Sequence, residues 1–289
     1  YKPVVYEAVT EAIDVILRQL PYLGVRRYNV SAVNSITQMR NEIYNIFYKT
    51  LESNLMSKFP NIKSMQFVDF GQLKRRGSVH NFDMRISYEL LLPGCTRMAE
   101  FIMNTLSQYG DISWDHSIVT VNYPSIRKHY TTLRKALSSP LVMKWFHEFM
   151  GTFIHEYTHI LQHVAQPNDT KEYRSYLSHK KTDFSLATRK TNKALFYKLY
   201  YASPQEIPAF ANQYVSHLIM TVAPGIDLLA TTNQPVKIET AQVVGVIKNL
   251  LVMLQDLKLY YQDNVLKNYS SYNIDDHKPV SYTHLTLPT

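Results

Sequence analysis

Helical periodicity constrains the fold of this chain more than any other sequence feature. Residues 6–20 and 31–59 place apolar side chains three and four positions apart, and residues with that spacing lie on one face of an α-helix. The spacing returns after Ser139 and Pro140, a pair typical of the N-cap and first turn of a helix. We therefore predict two amphipathic helices at the start of the chain and another from Pro140 to about Val164.

The period of the pattern changes between these helices. Residues 84–92 alternate in a way that predicts a half-buried β-strand, and residues 65–70 are its expected partner. Residues 97–109 return to helical spacing, whereas residues 117–124 are rich in β-branched side chains and end at a proline, which predicts another strand. Together these patterns predict an α+β fold, mainly α, with a small sheet before the helix that begins at Pro140.

Length and composition predict how the chain is divided. Of its 289 residues 45 % are hydrophobic, so it can bury a substantial core. We predict an N-terminal helical region at residues 1–62 and a larger domain at residues 63–279. The tail at residues 280–289 contains SYTHLTLPT, which resembles translated sequencing-adapter read-through, and it is left out of the fold prediction.

Composition also indicates in which cellular compartment the protein is expected and which partners it could bind. The one cysteine, Cys95, excludes an internal disulfide and favours a reducing compartment, and no stretch has the length and apolarity of a membrane helix. We expect a cytoplasmic protein, in an infected host cell if a phage encodes it; secretion stays open because the chain begins at Tyr1. The formal net charge of +8 predicts a weak contact with anionic partners such as nucleic acids.

The predicted helix from Pro140 contains FIHEYTHILQH, in which His155, Glu156 and His159 form a His-Glu-x-x-His pattern. Histidines four positions apart lie one helical turn above each other, so both imidazoles can reach one Zn²⁺. Glu156 lies about 100° round the helix from His155, where its carboxylate can act as a general base on a water held by the metal. The alternative is a buried helix whose histidines are satisfied by hydrogen bonds.

FIHEYTHILQH resembles the active-site helix of the zincin metallopeptidases, and the resemblance covers roughly residues 117–224. It implies a zincin-like metallopeptidase domain, in which a small sheet precedes the active-site helix and its edge strand pairs with a peptide substrate. The third zinc ligand of this superfamily comes from further along the chain. The metzincin class is excluded, because Gln162 and Ala165 occupy the positions of its glycine and its third histidine.

The gluzincin class takes its third ligand from a glutamate on a later helix. The stretch EIPAFA, which begins at Glu206, is similar to that segment in small members, including proteins encoded by phages, although Pro208 replaces the usual second acidic residue. The resemblance implies Glu206 as the third ligand. A capping box from Ser203 to Glu206 is the alternative role of this carboxylate. Other candidates for the third ligand are His163, Glu172, His179 and Asp183.

Peptide hydrolysis by zinc commonly uses a further donor that stabilises the tetrahedral oxyanion. Tyr201 and Tyr214, on either side of Glu206, are the candidates that we select from 22 tyrosines. His217 is also near in sequence, but we interpret it as a satisfied helix histidine.

These residues predict a zinc-dependent peptidase, a hydrolase that acts on peptide or protein substrates. His155, His159 and Glu206 would hold Zn²⁺, and Glu156 would be the general base. Two alternatives keep the metal: a DNA-associated protease of the SprT-like kind, whose usual third histidine is not evident here, and a hydrolase of cell-wall peptides. The remaining alternative is a helical structural or virion protein without catalytic activity.

Overall fold

The computed structural model describes residues 2–29, 35–73, 76–165, 206, 208–213 and 216. The sequence predictions that fall on other residues lie outside this described part. Among them is the start of the predicted helix at residues 31–59.

Seven helices with defined bounds lie between residues 2 and 165, and four short 3₁₀ turns join some of them. The helices are α1 (Lys2–Gln19), α2 (Ser35–Lys58), α3 (Phe70–Leu73), α4 (Leu92–Gln108), α5 (Tyr130–Leu137), α6 (Pro140–Met143) and α7 (His147–Ala165). The 3₁₀ turns are Leu20–Leu23, Tyr88–Leu90, Tyr123–Arg127 and Lys144–Phe146. Residues 206, 208–213 and 216 are helical as well.

The middle of the core is α2, which contacts both α1 and α4. Its large buried side chains recur every four positions, as the sequence pattern predicted, and they form one continuous stripe. They are Met39, Ile43, Phe47, Leu51 and Leu55. Burying a side chain of this size contributes roughly 1.5–3 kcal/mol to the stability of the fold.

Two three-stranded sheets occur in the described residues. Their strands are β1 (Val25–Asn29), β2 (Ser64–Val68), β3 (Gly77–His80), β4 (Asp83–Ser87), β5 (Ile112–Asp115) and β6 (Ile118–Asn122). The first sheet has the order β1-β6-β5 and is antiparallel throughout. In the second, of order β2-β4-β3, β2 runs parallel to β4 and β3 runs antiparallel to it. The edge strand β3 and its neighbour β4 contact α7.

The prediction of a mainly helical α+β fold is confirmed, but the predicted strand at residues 84–92 is too long. The chain leaves the sheet at Ser87, and α4 begins already at Leu92, earlier than predicted. Leu90 and Leu91 are both buried, whereas successive residues of a strand point to opposite faces. The proline after Leu92 suits the first turn of a helix, where its missing N–H leaves no bond unmade.

The predicted helix from Pro140 is divided. A 3₁₀ turn at Lys144–Phe146 separates α6 from α7, so the helix with the His-Glu-x-x-His pattern begins at His147. Phe146 is fully buried in this turn. Its ring covers Gly94 of α4 so closely that a Cβ on that glycine would lie 2.3 Å from Cζ of Phe146. The turn therefore places Phe146 against α4 at the point where α7 starts.

The chain divides into two compact units, residues 1–174 with 208–236 and residues 175–207 with 237–289. Every helix and strand with stated bounds belongs to the first unit. Within the described residues, no helix combines the length and the apolar character that crossing a membrane would require. The domain boundaries given by the sequence analysis stay predictions.

Candidate metal centre

The middle of α7 is buried on every side. Residues 149–158 are all buried, whereas an amphipathic surface helix buries one stripe. Phe59, directly after α2, meets the rings of Phe153 and Tyr157 edge-on, at centroid distances of 5.0 and 4.7 Å. Tertiary packing thus holds the helix in place over the length that carries His155 and Glu156.

His155 and His159 turn the same ring nitrogen toward each other. Their Nε2 atoms lie 3.3 Å apart, and the two ring planes are nearly perpendicular, at 82°. His155 is buried and His159 is half-buried. The four-residue spacing therefore does what the sequence pattern predicted: it brings both imidazoles to one point beside α7.

The separation of the two nitrogens fits a shared zinc ion. Two ligands at about 2.0–2.1 Å from a tetrahedral ion stand about 3.3–3.4 Å apart. A direct N–H···N hydrogen bond is the other arrangement compatible with this distance.

Gln162 orients the second histidine. Nδ1–H of His159 donates to Oε1 of Gln162 at 3.0 Å, so the proton of the neutral ring is on Nδ1 and Nε2 carries a lone pair. Histidine ligands usually have such a partner on the other nitrogen, because it fixes the tautomer and the ring orientation. This role of Gln162 was not predicted from the sequence. The available signal was that Gln162 stands three positions after His159, on the same helical face.

Glu206 joins the two histidines. One ligand atom each from His155, His159 and Glu206 lie within 4.8 Å of one another. Glu206 is buried, at 6 % exposure, and a carboxylate is costly to bury unless it has a cationic or hydrogen-bonding partner. Two imidazoles and a carboxylate are donors that zinc binds, so the residues fit the metal that the sequence pattern predicted.

The helical residues that follow Glu206 contact α7 at two further points. The ring of Phe210 meets that of His155 edge-on at a centroid distance of 4.5 Å. The side-chain amide of Asn212 donates to Oγ1 of Thr158 at 3.1 Å, and that hydroxyl donates to the carbonyl of Ile154 at 2.8 Å. These contacts hold residues 208–213 against the face of α7 that carries His155. None of Phe210, Asn212 and Thr158 was predicted from the sequence as a site residue.

Glu156 points toward the edge strand of the second sheet. It is buried, at 7 % exposure, and its carboxyl group lies directly over Gly77, the first residue of β3. Glu148, in the first turn of α7, is instead exposed and pairs with Arg76 at 3.2 Å between Nη1 and Oε2. The two glutamates of α7 thus occupy a buried site and a solvated surface.

Other residues selected from the sequence lie apart from this centre. His163 is half-buried, its ring is 6.3 Å from that of Phe82, and it is not part of the cluster formed by His155, His159 and Glu206. Several selected residues fall outside the described part of the chain and stay predictions. They are Tyr201, Tyr214 and His217, together with Ser203 of the capping box and the alternative ligands Glu172, His179 and Asp183.

Comparison of the chain with protein-family models, with curated proteins and with solved structures finds no match. A functional assignment therefore rests on the sequence pattern and the geometry of the centre.

Proposed function

We propose that the chain is a zinc-dependent peptidase of the gluzincin type, with His155, His159 and Glu206 as the metal ligands. The observation that carries the proposal is the convergence of the two Nε2 atoms, 3.3 Å apart, with a buried carboxylate. Hydrogen bonding alone would account for one histidine pair. One zinc ion would account for the pair and for the buried carboxylate beside them, since zinc binds imidazole and carboxylate donors together.

In this proposal four residues of α7, namely His155, Glu156, His159 and Gln162, have separate roles. Gln162 keeps the lone pair of His159 Nε2 turned toward the centre, and His155 supplies the matching nitrogen. Glu156 accepts a proton from the attacking water and passes it to the leaving amine. When bound, zinc would lower the pKa of that water and polarise the scissile carbonyl. Tyr201 and Tyr214 remain the proposed donors to the oxyanion.

The proposed partners are peptides or proteins. A nucleic-acid contact is proposed only as a weak one, because it rests on the net charge of +8. Of the basic run at residues 74–76, the structure describes Arg76, and this side chain is paired with Glu148. Such a contact would weaken steeply as salt is added. A cytoplasmic location, in an infected host cell if a phage encodes the chain, belongs to the same proposal.

Peptide cleavage by three proteins tests this function: the wild type, Glu156→Gln and Glu148→Gln. We expect the wild type to cleave an unstructured protein such as casein, and a chelator to abolish the cleavage. Glu156→Gln should bind zinc but lose at least about a hundredfold in rate, since general-base catalysis contributes about 10²–10⁴. Glu148→Gln, a change of the exposed glutamate on the same helix, should stay active. Equal rates for all three proteins would refute the proposed role of Glu156.

A further inference from the structure

The contact between Gly77 and Glu156 is closer than any residue with a side chain would allow. A Cβ on Gly77 would lie 2.7 Å from both Cγ and Oε1 of Glu156 and 3.0 Å from Cδ. Real Cβ atoms essentially never approach another heavy atom closer than 3.0 Å. Either the carboxylate or the strand would have to move if any other residue stood at this position.

Space, and not backbone conformation, is the reason for a glycine here. Gly24 and Gly110 have positive φ angles, but Gly77 does not. Gly77 instead stands in regular antiparallel pairing opposite Ile86. A glycine weakens a strand, and within one it often marks a close approach of another group. In this molecule the approaching group is the side chain of Glu156.

The surroundings indicate that the carboxylate, rather than the strand, would move. β3 is held by its ladder with β4, and just before it the carbonyl of Arg76 accepts a 2.8 Å bond from the amide of Ser87. The end of a glutamate side chain rotates more easily than a hydrogen-bonded strand moves.

We propose that Gly77 is a positioning residue: its missing side chain leaves the space in which the carboxylate of Glu156 is held. For the reaction, this inference rests on the proposed function, in which Glu156 is the general base. A general base must stand about 2.6–3.2 Å from the proton that it takes, and a displacement of about 1 Å can cost about a hundredfold in rate. Gly77 would thus affect the rate through the position of the Glu156 carboxylate.

A double-mutant cycle tests the contact without any assay of activity. The denaturant midpoint is measured for the wild type, Gly77→Ala, Glu156→Ala and the double variant. We expect Gly77→Ala to lower the midpoint in the wild type, and to lower it by less than half as much when Glu156 is already alanine. Gly94→Ala, whose new methyl group would meet Phe146 instead, is the matched control and should cost the same in both backgrounds. Equal costs of Gly77→Ala in both backgrounds would overturn the proposal.

A second measurement separates positioning from a loss of structure. Gly77→Ala should keep its zinc content and its KM while kcat falls about tenfold or more. Adding Glu156→Asp, which shortens the side chain by one methylene, should restore part of the loss in kcat. Unchanged kcat in Gly77→Ala would overturn the positioning role. A coupling in the denaturation cycle with no cleavage by the wild type would refute the peptidase proposal and support the Gly77–Glu156 contact.

Discussion

The Nε2 atoms of His155 and His159 face each other across 3.3 Å. The bond from His159 to Gln162 makes Nε2 the unprotonated nitrogen of that ring. His155 then either donates a proton to this lone pair or directs its own lone pair to the same point. Buried Glu206 beside the pair favours the second arrangement, since a cation would neutralise the carboxylate as well.

Gln162→Leu should weaken zinc binding. The substitution removes the acceptor of the Nδ1–H of His159, and losing such a partner typically costs about 10–100-fold in metal affinity. Competition with a fluorescent zinc chelator measures the affinity. Gln162→Glu keeps an acceptor at this position and should bind zinc at least as tightly as the wild type. If the leucine variant kept the affinity of the wild type, Gln162 would have no orienting role.

Gly94→Ala and Gly110→Ala should destabilise the protein for different reasons. At Gly94 a Cβ would lie 2.3–2.6 Å from three atoms of the Phe146 ring, an overpacking that costs about 1–3 kcal/mol. At Gly110 there is open space but φ is +74°, which costs about 1–2 kcal/mol for a residue with a side chain. Adding Phe146→Leu should offset part of the first cost and none of the second. Urea denaturation measures each cost, and the same offset in both variants would contradict the account.

Removing the hydroxyl of Tyr123 should cost about 1.5–3 kcal/mol in the free energy of unfolding, the range for a bond to a charged group. This fully buried side chain donates to Oε2 of Glu42 at 2.7 Å and also contacts the hydroxyl of Tyr28. Burial is the main cause that raises the pKa of both tyrosines. Tyr22→Phe, at an exposed tyrosine, is the control and should change stability little. Equal stability of Tyr123→Phe and the wild type would show that the hydrogen bonds of the Tyr123 hydroxyl contribute nothing to the stability of the fold.

Because of Asp111, the stability of the protein should change with pH in the acid range. The hydroxyl of Ser125 donates to Oδ1 of Asp111 at 2.5 Å, and this bond lowers the pKa of the Asp111 carboxyl. Burial raises that pKa and so opposes the effect of Ser125. The hydrogen bond between Oδ2 and the ring of His129, at 3.2 Å, lowers the pKa further. Because the pKa of Asp111 is lower in the folded protein, its stabilising effect is fully present above the pKa of the unfolded chain, about 3.9. The effect is lost as the pH falls through the pKa of the folded protein.

Asp111→Asn should accordingly be less stable than the wild type at neutral pH, and the difference should shrink below about pH 4. Thermal unfolding between pH 3 and pH 7 measures this difference. Asp115→Asn, a change of an exposed aspartate at the end of the neighbouring strand, is the control. A difference between Asp111→Asn and the wild type that stayed constant across this range would exclude the carboxylate as its cause.

Sequence patterns predicted α1, α2 and α4 because each of these helices buries a regular stripe. α2 is the clearest case, with one large buried residue every four positions from Met39 to Leu55. β1 and β5 escaped prediction because each buries a single residue, Tyr28 and Ile112, so neither shows alternation. Only pairing with β6 makes them strands, and pairing between distant segments leaves no local pattern.

In the candidate centre, too, residues related by local spacing were predictable, whereas residues brought together by distant contacts were not. The relation of His155 to His159 follows from helix geometry and was predictable from a spacing of four. Glu206 was selected through a resemblance to a family, because no local rule links it to a histidine nearly fifty positions earlier. Gly77 could not be selected, since its importance depends on the approach of α7 to the edge of a sheet. A glycine in a weak strand pattern was the only signal in the sequence.

Zinc content, measured by elemental analysis after dialysis, tests the central claim most directly. The proteins are the wild type, His155→Ala, Glu206→Ala and Glu148→Ala, the last as a control at an exposed glutamate in the first turn of α7. We expect about one zinc per chain in the wild type and the control, and a large loss in the other two. Full zinc in Glu206→Ala would contradict the assignment of the third ligand and redirect the search to Glu172, His179 and Asp183. A wild type that holds no zinc, even after reconstitution, would contradict the metal centre itself.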